Sequence, residues 1–258
     1  MPTILFVGDS ITVGSVGSTD KSGFRGVFAR KTSYKIGSVT AGLQHVGPFV
    51  DPTKLHHGGV GGATARTFGA AGDGTPPSAY FVLSPSSFKV GSVKISPTWM
   101  ETYKPDFLHF MMGTNDIIAK RESAEIFADM QILLKLAQTE SPKTKIFIAS
   151  IVEAGPDWFT KQASAYNDLL RNNKTINFVD TSQTINSAFY KEGIKAITVD
   201  GTHPNQRGYD LMGTMLALAL TNTSSSSSES SNSATPKNIL IASGLAYGAY
   251  KLFKAWQS

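Results

Sequence analysis

Short apolar runs alternate with amphipathic segments over the first 220 residues of the chain. Ile4 to Val7 is an uninterrupted apolar run, and Gly8-Asp9-Ser10 follows it directly. An apolar run without polar alternation predicts a central strand of a parallel sheet that is covered on both faces. Further strands are predicted at 107–112, 145–152 and 175–179.

Amphipathic segments lie between these strands. We predict helices at 24–32, 123–138, 163–171 and 206–220. The second of them has Ser123 as its predicted N-cap and an apolar face formed by Ile126, Met130, Leu133, Leu134 and Ala137. The alternation of strand and helix predicts an α/β fold with a doubly wound, mostly parallel sheet.

Three stretches depart from this alternation. Leu43–Val50 reads as a second strand interrupted at Gly47-Pro48, and residues 57–64 read as a glycine-rich loop. Residues 66–105, rich in Gly, Pro, Ser and aromatic residues, contain β-like runs at 80–83 and 88–95. We therefore predict a loop-and-hairpin insertion in the domain formed by residues 1–222.

The composition changes abruptly after this domain. Residues 223–236 are almost entirely polar and serine-rich, which predicts a flexible linker. Residues 237–258 predict an apolar helix, whose segment 238–256 approaches the length that spans a bilayer. A membrane anchor and a helix that docks in a protein groove are both consistent with this tail, and packing against its own domain is a third interpretation.

Charge and composition exclude several classes of function. Of the net charge of +5, three charges belong to lysines in the last 22 residues, which leaves +2 on residues 1–236. No basic cluster marks a nucleic-acid interface, so we predict no nucleic-acid partner. The absence of cysteine excludes thiolate catalysis and Cys-ligated metals. Met1-Pro2 leads directly into the first strand, so we expect no N-terminal signal peptide.

Three polar motifs are placed at loop ends of the predicted sheet: Gly8-Asp9-Ser10, Gly113-Thr114-Asn115-Asp116 and Asp200-Gly201-Thr202-His203. Acyl transfer requires a nucleophile, a base, an orienting carboxylate and donors directed at the oxyanion. Ser10, His203 and Asp200 provide the first three, and Asn115 and backbone N–H groups provide donors. Taken alone, Gly8-Asp9-Ser10 is equally consistent with a turn followed by a helix N-cap.

Together with Gly59-Val60-Gly61-Gly62, these motifs resemble the four sequence blocks of the SGNH hydrolases, the GDSL-type lipases and esterases. The resemblance covers roughly residues 3–220. It implies a flavodoxin-like three-layer α/β/α fold and an ester hydrolase without a metal or other cofactor. It also implies a catalytic triad of Ser10, Asp200 and His203, and an oxyanion hole formed by Ser10, Gly62 and Asn115.

Residues beside these motifs are assigned to substrate binding: Asp9, His57, Gly61 and Thr114. Gly61 is also an alternative to Gly62 as the backbone donor. The pair His56-His57 lacks the spacing of a metal site, and a loop role beside the substrate cleft is the favoured interpretation. His45 and His109 are interpreted as core histidines, the second of them hydrogen-bonded. Four aromatic residues are consistent with either a sugar platform or packing: Tyr80, Phe81, Trp99 and Trp158.

Two functions from different classes are consistent with these observations. The first is a serine esterase that removes small acyl groups, and O-acetyl groups on a carbohydrate are the predicted substrate. The residues around the predicted site are polar and rich in Gly and Ser, and the chain lacks a long apolar lid segment. Both features favour that substrate. The second is a non-catalytic binding or structural module of a larger particle or surface assembly, held by the serine-rich linker and the apolar tail.

Overall fold

A seven-stranded, mostly parallel sheet forms the centre of the described part of the chain. The structure is a computed structural model that describes residues 1–36, 39–65, 89–90, 93–94, 99–153, 155–183, 185–186, 193 and 196–225. Its strands are β1 (Thr3–Gly8), β2 (Tyr34–Ile36), β3 (Val39–Ala41), β4 (Gln44–Val46), β5 (Phe49–Val50), β6 (His56–Gly59), β7 (Lys89–Val90), β8 (Val93–Lys94), β9 (Phe107–Met111), β10 (Lys145–Ala149) and β11 (Asn177–Val179).

The sheet has the order β11-β10-β9-β1-β6-β5, and β4 also pairs with β1. The pairings among β1, β4, β6, β9, β10 and β11 are parallel, whereas β5 runs antiparallel to β6. Two antiparallel hairpins, β2-β3 and β7-β8, lie outside this sheet. β1 is thus a central strand, as its apolar run predicts.

Helices cover the sheet on both faces. They are α1 (Ser10–Val13), α2 (Phe24–Thr32), α3 (Trp99–Tyr103), α4 (Thr114–Ile118), α5 (Ser123–Glu140), α6 (Asp157–Asn172) and α7 (Gln206–Ser225). The ring of Phe6 contacts Phe24 and Phe28, so α2, which packs against α7, covers one face of β1. Leu5 and Val7 face the other way and are also fully buried, on the side where α5 and α6 pack together.

The predicted α/β class and mostly parallel sheet are therefore confirmed. The helix predicted at 24–32 has those bounds, and the predicted apolar face of α5 is buried throughout. The other predicted strands and helices shift by a few residues at their ends. The largest shift is in α6, which begins at Asp157, six residues before the predicted start.

Two predictions between residues 43 and 64 need correction. The interruption of the strand at 43–50 by Gly47-Pro48 is confirmed, but the chain also reverses there: Gly47 has φ +148°, and β5 runs antiparallel to β6, whereas β4 runs parallel to β1. The glycine-rich loop at 57–64 begins as a strand, since β6 pairs with both β1 and β5. Glycine lowers strand propensity, but here pairing on both sides supplies the hydrogen bonds that hold the strand.

Three further boundaries differ from the predictions. Residues 99–103 of the predicted insertion form α3, while the β-like run at 80–83 lies outside the described residues. Ser123 follows the N-cap of α5, and its Oγ donates to Gln162 on α6 instead of capping the helix. Helix α7 continues to Ser225, three residues into the predicted linker.

The remainder of the predicted linker and the apolar tail, 226–258, lies outside the described residues, so the role of the tail stays a prediction. Within the described ranges, no helix combines the length and the apolar character needed to cross a membrane.

A buried ion pair supports the turn that carries Ser10. The guanidinium of Arg25, which is fully buried, lies 2.9 Å from Asp51 Oδ2. It also donates to the carbonyl oxygens of Thr12 (2.7 Å) and Val13 (3.0 Å), which end α1. Burial lowers the pKa of Arg25, and the Asp51 charge opposes that shift. Arg25 thus satisfies carbonyl groups that a helix end leaves without partners.

We expect Asp51→Asn to lower the free energy of unfolding by about 3–5 kcal/mol, because it leaves a buried guanidinium without its counter-charge. Urea unfolding measures this change. Arg30→Gln is the control, because it breaks the exposed ion pair between Arg30 and Asp20, which we expect to contribute about 1 kcal/mol or less. Equal losses in the two variants would contradict the role assigned to the buried pair.

Candidate active site

Three of the predicted motifs leave the sheet from neighbouring positions. In the strand register, Gly8 of β1 is paired with Met111 of β9 on one side and with Gly59 of β6 on the other. Adjacent strands lie about 4.8 Å apart. The loops that carry Ser10, Asn115 and Gly62 therefore start side by side at the carboxyl edge of the sheet, where open α/β sheets place their ligands.

Ser10, His203 and Asp200 form a continuous hydrogen-bonded chain. The Oγ of Ser10 lies 2.8 Å from Nε2 of His203, and Nδ1 of His203 lies 2.7 Å from Oδ2 of Asp200. Ser10 and His203 are partly exposed, so a substrate can reach both. The contact joins residues 193 positions apart in the sequence.

Contacts between the loop after α1 and the beginning of α7 bring His203 to Ser10. The side-chain oxygen of Gln206 accepts hydrogen bonds from the backbone N–H and the hydroxyl of Thr19. The hydroxyl of Tyr209 donates to the carbonyl oxygen of Val16 at 3.0 Å. Because His203 immediately precedes α7, these bonds fix its position relative to the nucleophile.

The carboxylate of Asp200 is held by the backbone of its own turn. Its Oδ1 accepts the N–H groups of His203 (2.8 Å) and Thr202 (3.0 Å), which leaves Oδ2 for the imidazole. Partial burial acts to raise the pKa of Asp200, but the hydrogen bonds from His203 and Thr202 outweigh it and lower the pKa. Asp200 is therefore ionised at neutral pH and holds the imidazole with its proton on Nδ1.

Asp9 and Thr114 support the site from within the protein. Asp9 is 1% exposed, and its Oδ1 accepts the N–H of Ile11 at 2.9 Å, which makes it the N-cap of α1. The side chain of Thr114, itself buried, is hydrogen-bonded to Asp9. Their burial favours a supporting role, and their contact with the substrate stays a prediction. They hold the turn that presents Ser10.

Asp9 makes the stability of the protein depend on pH. Burial raises the pKa of Asp9 from 3.8 to about 6, against the opposing effects of the Ile11 N–H and of His203 and Thr114. The folded protein therefore keeps this proton to a higher pH than the unfolded chain. The resulting stabilisation is complete below the unfolded pKa of 3.8 and is lost as the pH rises through about 6.

We expect wild type to lose up to about 3 kcal/mol of unfolding free energy, relative to Asp9→Asn, between pH 4 and pH 7. Asparagine keeps the capping oxygen but does not titrate, so the other ionisable groups cancel in the comparison. Urea unfolding of both proteins across this range measures the difference. A difference that does not change with pH would contradict the shifted pKa of Asp9.

The turn at residues 60–63 lies beside Asn115. The side-chain Nδ2 of Asn115 donates to the carbonyl oxygen of Ala63 at 3.0 Å, and the N–H of Ala63 donates to the carbonyl oxygen of Val60. Gly61 and Gly62 are exposed, and neither N–H has an acceptor within the described part of the chain. Both glycines therefore remain candidates for the backbone donor.

The reason for glycine at position 62 is its backbone conformation. A Cβ at Gly62 would meet no atom within 4 Å, so steric obstruction does not explain it. Instead, Gly62 has φ +77°, a left-handed conformation that side chains other than glycine rarely adopt. At Gly113, both reasons apply, because φ is +126° and a Cβ would lie 2.8 Å from the ring of Tyr166.

Asp116 and Arg121, for which no role was predicted, connect the two loops that carry candidate oxyanion donors. The buried Asp116 accepts the N–H of Ala65 at 2.8 Å, and Arg121 donates to its other oxygen at 2.5 Å. Arg121 also pairs with Asp129 on α5. The place of Asp116 directly after Asn115 was the available signal in the sequence, but its contact with Ala65 joins residues 51 positions apart.

The other histidines are structural. His57 lies in β6, is 5% exposed, and its Nδ1 accepts the N–H of Gly59. Its place beside the substrate stays a prediction. Burial, followed by the charge of Arg25, lowers the pKa of His57 to about 4. His45 and His109 are buried core residues, as predicted, but Nδ1 of His109 has no hydrogen-bond partner among the described residues.

Comparisons with known proteins agree with this geometry. A family model for the GDSL-like lipase/acylhydrolase family matches residues 6–211. Among solved structures, a family 3 carbohydrate esterase from Clostridium thermocellum is 17% identical, with a TM-score of 0.59 over 88% of this chain and 99% of that chain. A family 3 carbohydrate esterase from Talaromyces cellulolyticus is 18% identical, with a TM-score of 0.58 over 88% and 99%.

A catalytic mutant of an acetylxylan esterase from Geobacillus stearothermophilus is also similar in structure. It is 17% identical, with a TM-score of 0.51 over 86% of this chain and 93% of that chain. At these identities, the structural similarities establish the fold of the chain and leave its substrate open. A comparison with curated proteins gives no match.

Proposed function

Because the chain belongs to the GDSL-like lipase/acylhydrolase family, and is thus a carboxylic ester hydrolase, we propose that Ser10, His203 and Asp200 are its catalytic triad. One observation carries this assignment. The Oγ of Ser10 and Nε2 of His203 are 2.8 Å apart, and Asp200 holds the opposite nitrogen of the same ring. A nucleophile, a base and an orienting carboxylate in this sequence are the groups that acyl transfer needs.

In the first half of the reaction, Ser10 Oγ attacks the ester carbonyl carbon while His203 Nε2 takes the hydroxyl proton. The tetrahedral intermediate collapses as the C–O bond to the alcohol breaks, and His203 returns the proton to the departing alcohol. In the second half, a water molecule gives its proton to His203 and attacks the acyl-enzyme. Collapse of the second intermediate releases the acid and restores the proton to Ser10.

The oxyanion that forms in each intermediate requires hydrogen-bond donors. We assign this role to the backbone N–H of Ser10, the side-chain amide of Asn115 and a backbone N–H from Gly62. Support comes from their common place at the carboxyl edge of β1, β6 and β9. The N–H of Ser10 lies in the first turn of α1, where helical N–H groups lack partners within the helix.

We assign the substrate as a small acyl ester, namely an O-acetyl group on a carbohydrate. The turn beside Asn115 consists of small residues and exposes Gly61 and Gly62, which suits a polar substrate with a short acyl chain. The similar solved structures include two carbohydrate esterases and an acetylxylan esterase, which favours the same substrate class. A non-catalytic binding module gives no reason for the Ser10–His203 contact.

Substrate screening tests this assignment. We expect acetylated oligosaccharides and p-nitrophenyl acetate to be hydrolysed with a higher kcat/KM than esters of eight or more acyl carbons. The inactive Ser10→Ala variant gives the background rate for each substrate. A preference for long acyl chains, or hydrolysis of p-nitrophenyl acetate without release of acetate from any sugar, would contradict the carbohydrate substrate.

A further inference from the structure

A cleft of about 290 Å³ lies beside the candidate active site, between the turn that joins α4 to α5 and the first turns of α6. The residues that line it include Lys120, Arg121, Glu122, Trp158, Lys161 and Gln162. None of them belongs to the catalytic groups assigned above. The cleft contains an aromatic ring and several charged groups, so its chemistry indicates the ligand that it fits.

The cleft lies at the same edge of the sheet as the candidate site. Helix α4 follows β9 and carries Asn115, and α6 follows β10, which pairs in parallel with β9. The cleft between these helices therefore opens where the two strands end, at the carboxyl edge that also presents Ser10. A substrate with its ester at Ser10 can extend toward the cleft along this edge.

Trp158 provides an accessible aromatic surface in this cleft. It is 43% exposed, and its ring is held edge-on against the buried Phe159, with ring centroids 5.9 Å apart. By contrast, Trp99 is 9% exposed and packs over Gly58. A large ring that stays exposed while its orientation is fixed is suited to contact with a ligand. Of the aromatic residues considered for a sugar platform, the described structure favours Trp158.

The cleft also presents positive charge beside this ring. The Nζ of Lys120 lies over one face of the Trp158 ring, 2.8 Å from the ring centroid, so a ligand can contact only the part of the ring that remains exposed. Within the described part of the chain, neither Lys120 nor Lys161 pairs with a carboxylate. Arg121 pairs with Asp116 and Asp129, whereas Glu122, which accepts a hydrogen bond from the neutral amide of Gln162, contributes a carboxylate to the lining.

We propose that this cleft binds an anionic sugar unit next to the acylated unit of the substrate. The indole of Trp158 contacts the apolar face of the sugar ring, while Lys120 and Lys161 bind its carboxylate or sulfate. The proposal rests on the carbohydrate substrate assigned above and names the charge of the neighbouring unit. Two lysines against one glutamate in the lining favour an anionic unit over a neutral one.

Binding of saccharides without acyl groups tests the cleft separately from catalysis. Calorimetry on the full-length Ser10→Ala protein would use trigalacturonate, a sulfated galactose disaccharide and neutral galactotriose. We expect the anionic saccharides to bind more tightly than galactotriose, and added salt to weaken their binding. Adding Trp158→Ala or Lys120→Gln should raise the Kd for the preferred anion about tenfold or more, as expected for loss of a charge-assisted contact.

Lys135→Gln is the matched control, because it removes the same charge from the exposed surface of α5, away from the cleft. We expect it to leave every Kd unchanged, and thermal unfolding should show that each variant is folded. Equal affinity for neutral and anionic saccharides, no binding at all, or no effect of Trp158→Ala and Lys120→Gln would overturn the proposal. Whether the carboxylate or the sulfate binds more tightly identifies the anion.

The two proposals fail in different ways. If trigalacturonate binds in the cleft but the active enzyme releases acetate from no saccharide, the carbohydrate esterase function is wrong. If neutral acetylated saccharides are hydrolysed but no anion binds at Trp158 and Lys120, the subsite is wrong.

Discussion

Ser10→Ala is expected to lower kcat for p-nitrophenyl acetate by on the order of a million-fold, which leaves the rate near the background. Alanine removes the hydroxyl that His203 contacts at 2.8 Å, and no acyl-enzyme can then form. Steady-state hydrolysis measures the loss. If deacylation limits the wild-type rate, wild type should release a burst of p-nitrophenol equal to the enzyme concentration. This burst should be absent in the variant.

The control for this experiment is Ser164→Ala on α6, which removes a serine hydroxyl away from the triad. We expect that variant to keep wild-type activity. Mass spectrometry after treatment with an organophosphonate should show one adduct per molecule in wild type and none in Ser10→Ala. Activity that survives in Ser10→Ala would mean that another group is the nucleophile.

Asp200→Asn is expected to lower kcat by roughly a thousand- to ten-thousand-fold. The asparagine amide donates where the carboxylate accepts, so it favours the imidazole tautomer that has its proton on Nε2 and cannot take one from Ser10. The Asp200 side chain is 49% exposed, so water can reach its position. If water substitutes for the lost carboxylate, the loss of kcat is nearer a thousand-fold. Hydrolysis of p-nitrophenyl acetate measures the loss.

Asp168→Asn provides the matched control, since Asp168 is also exposed but pairs with Arg171 on the surface of α6. The control should keep kcat within about twofold, because exposed ion pairs contribute little. Asp200→Ala lacks the misplaced amide donor and should be no slower than Asp200→Asn. If Asp200→Asn retained most of the wild-type kcat, His203 would be oriented by another group.

The arrangement of the fold follows from local patterns that the sequence shows directly. Ile4 to Val7 is apolar at every position because β1 is covered on both faces, and the apolar face of α5 recurs at helical spacing. These patterns depend on neighbours in the sequence, so the sequence alone is sufficient to identify them. The interruption of Leu43–Val50 at Gly47-Pro48 was also predicted, but the reversal of the chain there was not, because it depends on the pairing of β5 with β6.

The candidate site was predictable to a different degree at each residue. The residue types at Ser10, Asn115, Asp200 and His203 follow from four motifs in order. The distances between these residues do not follow from the motifs. The Ser10–His203 contact, for example, depends on hydrogen bonds between the loop after α1 and the beginning of α7. The proximity of Trp158 and Lys120 in one cleft is likewise invisible in the sequence, where they are 38 positions apart.

The sequence by itself determined the alternation of strands and helices, the chemical groups available for acyl transfer and the resemblance to a family of esterases. Only the tertiary structure decided that Asp9, Thr114 and His57 are buried supports, and that Asp116 and Arg121 connect the loops of the candidate oxyanion hole. The physical reason is that burial and hydrogen-bond partners depend on residues that the fold brings together from distant parts of the chain.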